Sequence, residues 1–131
     1  MRPAINQSIV FTYCDDLPAA SRFLAEVMEL ELVVDQGPCH IYRLTETGFL
    51  GVCALPDRPR AQAGVTLSIV SDDVEGWHEF LVSKGVGFER APAPSARFGI
   101  TSALFVSPHG YRIEIQRFDD ADWHRGPSER R

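Results

Sequence analysis

The chain has 131 residues, 44% of them hydrophobic and 24% charged, the make-up of one domain large enough to bury a core without staples. Thirteen basic residues against eighteen acidic ones leave a net charge of −5, which disfavours nucleic acid as a partner because neutralising phosphates needs a basic surface. Apolar runs are too short to cross a bilayer and none of signal-peptide length opens the chain, so no membrane partner and a cytoplasmic location are expected.

A first strand in "IVFTYC" runs into Asp16, whose short side chain suits the cap of a helix. Leu17, Ala20, Phe23, Leu24, Val27 and Met28 then recur at helical spacing, with Pro18 tolerated in the opening turn. Three strand-like stretches follow, "LELVVDQ", "CHIYRL" and "GFLGVCAL", separated by turn signals such as "QGP" and "TETG". The Pro- and Gly-containing "ALPDRPRAQAG" reads as a linker. Beyond it the pattern returns: the strand "LSIVS", a capping Asp73, a helix carrying Val74, Trp77, Phe80 and Leu81 on one side, and Gly85 at its C-terminal cap. Then come "VGFERA", "TSALFVS" and "YRIEIQRF", with "APAPSARFG" taken as a Pro-rich loop and "DDADWHRGPSERR" as a polar extension. The order strand, helix, three strands occurs twice within a single domain spanning residues 1–131. Module one covers about 5–55, the linker 56–63, module two 64–118 and the tail 119–131.

In the last strand, alternation puts Ile113 and Ile115 on one face and Arg112, Glu114 and Gln116 on the other. A carboxylate on that polar row is a ligand or an acid/base if the face lines a pocket, and a surface ion pair with Arg112 if it does not. Cys14, Cys39 and Cys53 are odd in number and lack the close pairing of zinc or redox motifs, so they are expected to be reduced and mostly buried.

The doubled βαβββ pattern, with "YCDDLPAASRFLAEVMELEL" and the closing "SPHGYRIEIQRF", resembles the vicinal oxygen chelate superfamily, which includes glyoxalase I, bleomycin-resistance proteins and extradiol dioxygenases. The resemblance runs from about residue 5 to 118. It implies an α+β fold in which two tandem modules form a cupped, half-barrel sheet with the helices on the outer face. It also implies a divalent metal held at four positions, one in the first and one in the last strand of each module. In this chain those positions fall on Ile9, on Gly51 or Val52, on Thr66 and on Glu114, and only Glu114 is a usual ligand. A lone carboxylate does not hold a cation against solution chelators, so no cofactor is expected. Gln7, His40 or Cys53 would have to move into register to restore a metal site.

The same resemblance turns the face carrying Ile9, Phe11 and Tyr13 into an inner wall. Mostly apolar walls with a few placed polar groups are what small-molecule pockets look like. The expected ligand-binding residues are Phe11, Tyr13, Tyr42, Thr66, Arg112 and Glu114, and Glu114 is the single catalytic candidate. Two functions follow. One is a metal-free binding protein that sequesters a small organic molecule, as in the bleomycin-resistance branch. The other is a metal-dependent lyase, isomerase or dioxygenase with Glu114 as ligand or general base. A homodimer is expected, because members of the family commonly pair.

Overall fold

The computed structural model describes residues 1–60 and 63–126, so positions 61–62 of the expected linker and 127–131 of the tail lie outside the described residues. Its elements are β1 (Ser8–Tyr13), α1 (Leu17–Arg22), β2 (Glu31–Asp35), β3 (Cys39–Arg43), β4 (Gly48–Cys53), β5 (Thr66–Val70), α2 (Val74–Ser83), β6 (Phe88–Ser95), β7 (Ile100–Val106) and β8 (Arg112–Phe118). This is the α+β arrangement of two tandem βαβββ modules. Among the described residues no helix is long and apolar enough to cross a membrane.

Both helices start as the sequence predicts. Asp16 accepts a hydrogen bond from the Ala19 amide at 3.0 Å, and Asp73 accepts one from the Gly76 amide at 2.8 Å. After Arg22 the first helix widens into a π-helical turn over Phe23–Val27, where the Met28 amide reaches back to the Phe23 carbonyl at 3.0 Å. The wider turn leaves Leu24 and Met28 buried. The second helix ends on Gly85 at φ 91°, a left-handed conformation that costs glycine nothing.

The chain forms two compact units, Met1–Val65 together with Ser107–Tyr111, and Thr66–Val106 together with the residues from Arg112 onward. The first holds a sheet in the order β1-β4-β3-β2, with β1 parallel to β4 and the other pairs antiparallel. The second repeats it as β5-β8-β7-β6. One face of each sheet is covered by its own helix. Tyr42 and His40 reach Ser21 of α1 in the first, and α2 packs on β6, β7 and β8 in the second, where Leu81, Phe105, Ile113 and Ile115 are fully buried.

Two expectations need correction. "APAPSARFG" is not a loop throughout: its residues up to Ser95 belong to β6, and only the turn that follows is irregular. Proline lacks the amide a central strand needs, but β6 is the edge strand of its sheet and carries two register shifts, so Pro92 and Pro94 are accommodated. The cysteines are not three free thiols. The β3–β4 register sets Cys39 directly opposite Cys53 with Cα atoms 4.1 Å apart, and the two form a disulfide; Cys14 alone is free, and buried. The polar tail is anchored where it begins, since Trp123 stacks on Phe118 with ring centroids 4.2 Å apart.

Candidate functional site

The face of the second sheet turned away from α2 carries a connected polar cluster. Parallel pairing of β5 with β8 sets Ser68 beside Glu114, and antiparallel pairing of β7 with β8 sets Leu104 on its other side. Oε1 of Glu114 accepts from the Ser68 hydroxyl at 3.1 Å and from the Gln116 amide at 2.9 Å. The Arg90 guanidinium stands 3.6 Å from Oε2 and donates to the Ser102 hydroxyl at 2.8 Å. Glu114 is 20% exposed and Arg90 47%. A cavity of about 250 Å³ opens beside them, with Phe98, Ile100, Pro94 and Ala93 as its apolar wall.

The partner of Glu114 is therefore Arg90 and not Arg112. Arg112 pairs instead with Glu89 at 3.7 Å, at a more exposed position of the same strand face. Thr66 sits opposite Arg112 in the register and is exposed. Neither Arg112 nor Thr66 lines the cavity beside Glu114. Arg90 was not legible as a site residue, because the two register shifts in β6 break the alternation from which a facing side chain is inferred, whereas Ser102 lies on the regularly paired β7 opposite Gln116. Gln116 could be read from alternation alone.

In the first unit, the equivalent face is different in kind. Phe11 pairs with Gly51, and Tyr13 pairs with Cys53. A Cβ placed on Gly51 would lie 2.4 Å from Cδ1 of Phe11, so the ring rests directly on the glycine. Ile9 and Phe11 are 42% and 40% exposed. Tyr42 was expected on this wall and is not there. Counting along β3 puts it on the helix side, where it is 2% exposed and its hydroxyl bonds Ser21. His40 shares that side, with Nδ1 2.7 Å from the Ser21 hydroxyl and Nε2 3.3 Å from Asp35.

A further cavity of about 330 Å³ in this unit is lined by Cys14, Asp15, Asp16, Arg60 and His109. Burial pushes the Cys14 thiol up and the His109 imidazole down. The Thr12 hydroxyl donates to the Gly51 carbonyl at 2.9 Å, so its oxygen accepts from Nε2 of His109 at 3.1 Å. The Ser107 hydroxyl accepts from the Tyr111 amide and lies 3.1 Å from Nδ1, to which it donates when His109 is the neutral Nε2–H tautomer. The Tyr13 amide then donates to the Tyr111 hydroxyl. His109 works as a clip for its own turn.

The residues at the four metal positions do not suit a cation. Ile9 offers no donor, Gly51 lies under the Phe11 ring, and Thr66 is a neutral hydroxyl. Glu114 already accepts two hydrogen bonds and faces a guanidinium, whose charge opposes a second cation there. Of the residues that would have to shift in to help, Gln7 precedes β1 and is exposed, His40 is turned to α1, and Cys53 is bonded to Cys39. Among the described residues no group of three or more His, Cys, Asp or Glu side chains gathers to hold a metal.

The family model described as Glyoxalase/Bleomycin resistance protein/Dioxygenase superfamily matches residues 7–115. The chain belongs to that superfamily. It is similar in structure to a lactoylglutathione lyase from Agrobacterium tumefaciens, with TM-score 0.71 and 20% identity over 88% of this chain and 96% of that one. A glyoxalase/bleomycin resistance protein/dioxygenase from Nocardioides gives TM-score 0.71 and 17% identity, covering 92% and 87%. An integron cassette protein from the mobile metagenome of a Halifax Harbour sewage outfall gives 0.73 and 19%, covering 86% and 97%. At these identities the likeness is one of fold, and a superfamily fold hosts many activities. No match was found among curated proteins.

Proposed function

We propose that the protein is a metal-independent binding protein for a small organic molecule, held at the Glu114 cavity of the second unit. The observation that carries this reading is the pairing of Glu114 with Arg90 beside an apolar pocket: a guanidinium occupies the ground next to the carboxylate where a chelating member of the superfamily would need further ligands. Apolar walls with a few fixed polar groups are the common form of small-molecule sites. Phe98, 65% exposed in the turn after β6, supplies a large uncovered ring at the rim.

The test is a thermal-shift and NMR screen of small aromatic and aliphatic compounds against the wild type, Glu114→Gln and Phe98→Ala, with and without prior treatment with a chelator. A hit weakened in both variants and indifferent to the chelator supports the reading. No hit across the panel, or a stoichiometric divalent ion in the purified protein that disappears in Glu114→Gln, overturns it in favour of the metal-dependent alternative.

A homodimer belongs to the same proposal, supported by the edge strands that each four-stranded sheet retains. Light scattering coupled to size exclusion checks it, and a monomer at high concentration rejects it. A cytoplasmic location completes the proposal. Fractionation of the producing cells checks it, and recovery of the protein outside the cytosolic fraction would reject it.

A further inference from the structure

We infer that the head group recognised at Glu114 is neutral and carries a hydrogen-bond donor next to an acceptor, as a carboxamide does, on a body the size of one aromatic ring. The inference rests on the ligand-binding reading above and specifies its chemistry. The two oxygens of Glu114 are unequal. Oε1 is engaged by Ser68 and Gln116, whereas the nearest cationic nitrogen to Oε2 is that of Arg90 at 3.6 Å, beyond hydrogen-bonding range. That nitrogen gives one of its two N–H groups to Ser102. The pocket therefore presents a carboxylate oxygen in need of a donor beside a half-exposed guanidinium in need of an acceptor.

A head group with acceptors alone, such as a carboxylate, satisfies Arg90 but sets its own charge against Oε2. A head group with donors alone, such as an ammonium, satisfies Oε2 but faces the guanidinium. The opposed charges of the pair also cancel at a distance, so neither a cation nor an anion is drawn in by net charge. A carboxamide gives its N–H to Oε2 and its carbonyl to Arg90, leaving neither group unpaired when the site closes on the ligand. Pro94, Phe98 and Ile100 then cover the ring, and a cavity of about 250 Å³ has room for one such ring. The Arg97 guanidinium lies 5.0 Å from the centroid of Phe98 and helps hold that ring in place.

Titration calorimetry with benzamide, benzoate and benzylamine, three probes sharing one ring and differing in the head group, tests this on the intact chain. The expected result is that benzamide binds roughly tenfold more tightly than either charged probe, the value of one well-made hydrogen bond. In Glu114→Gln the advantage over benzoate should vanish, because the new amide can itself donate. In Arg90→Met, at a half-exposed position that leaves the core intact, the advantage over benzylamine should vanish instead. Benzoate or benzylamine binding as tightly as benzamide to the wild type would overturn the head-group assignment and leave the ligand-binding reading standing. Failure of all three to bind would also overturn it, and the broader compound screen then decides the parent reading separately.

Discussion

The two modules are copies in backbone and opposites on their open faces. Five residues before each helix cap, Phe11 in the first corresponds to Ser68 in the second, and their strand partners are Gly51 and Glu114. Register thus settles that Gly51, and not the buried Val52, stands where the second module has its carboxylate. Two residues further on, the Cys39–Cys53 disulfide occupies the positions of Ser102 and Gln116. One face has become a ring over a glycine beside a disulfide, and the other a hydrogen-bonded network around an acid. The lesson is that the helix-facing side fixes the fold, while the open side is free to diverge and carries whatever chemistry the protein has.

The helix-facing side should accordingly be where substitutions cost most. Phe105 of the second module and Tyr42 of the first are equivalent by register, and both are buried. Phe105→Ala should destabilise the protein by about 3–5 kcal/mol, read from chemical denaturation, as expected for emptying a core aromatic. Gly51→Ala tests the open face: its new methyl collides with Phe11, and a loss of about 1–3 kcal/mol is expected. In a Phe11→Ala background the same change should cost much less, and equal losses in both backgrounds would show that the ring does not rest on Gly51. Tyr42→Phe removes only the hydroxyl bonded to Ser21 and should cost about 1 kcal/mol.

His109 offers a smaller, pH-dependent handle on the loop of the first unit. Burial holds its imidazole below the ordinary value of about 6.5, so the unfolded chain binds the proton more readily than the folded one. Its contribution to stability is complete above that value and is lost as pH falls through the window down to the depressed folded value. Asp15 and Asp16, which would favour the charged form, and Arg60, which would oppose it, line the same cavity. In His109→Gln the slope of stability against pH in that window should flatten; an unchanged slope would show that His109 is not the titrating group.

How much of this could be read beforehand follows the same division. The repeat, both aspartate caps, the glycine C-cap and the polar row with Glu114 were legible, because each depends on local spacing. Phe11 and Tyr13 also lie on the face that alternation predicts, half-exposed or nearly so. Tyr42 was misassigned because both faces of β3 are apolar there, "CHIYRL" having Ile41 buried on one side and Tyr42 on the other, so alternation had no contrast to work with. The Glu114–Arg90 pair joins residues 24 positions apart across a bulged edge strand, and the Cys39–Cys53 bond depends on register. Such long-range pairings are fixed only when the sheet forms.

The surface beside α2 gives the finest contrast between the modules. Arg117 forks onto Glu75 with bonds of 2.9 and 3.1 Å, while the equivalent positions of the first module are Pro18 and Ala54, which cannot pair. The hydrogen bonds from Arg117 hold the Glu75 carboxyl down at about 2. Both side chains remain in contact with water, so the shift reports a local bond and little stability, and salt should weaken it. NMR titration of the Glu75 side-chain carboxyl is expected to show it still ionised below the ordinary glutamate value of about 4.3, with its midpoint rising at high salt. Arg117→Gln should bring it back into the ordinary glutamate range while the melting temperature hardly moves. A midpoint already ordinary in the wild type would mean that the fork is not formed in solution, and that the two modules differ less at this corner than their sequences imply.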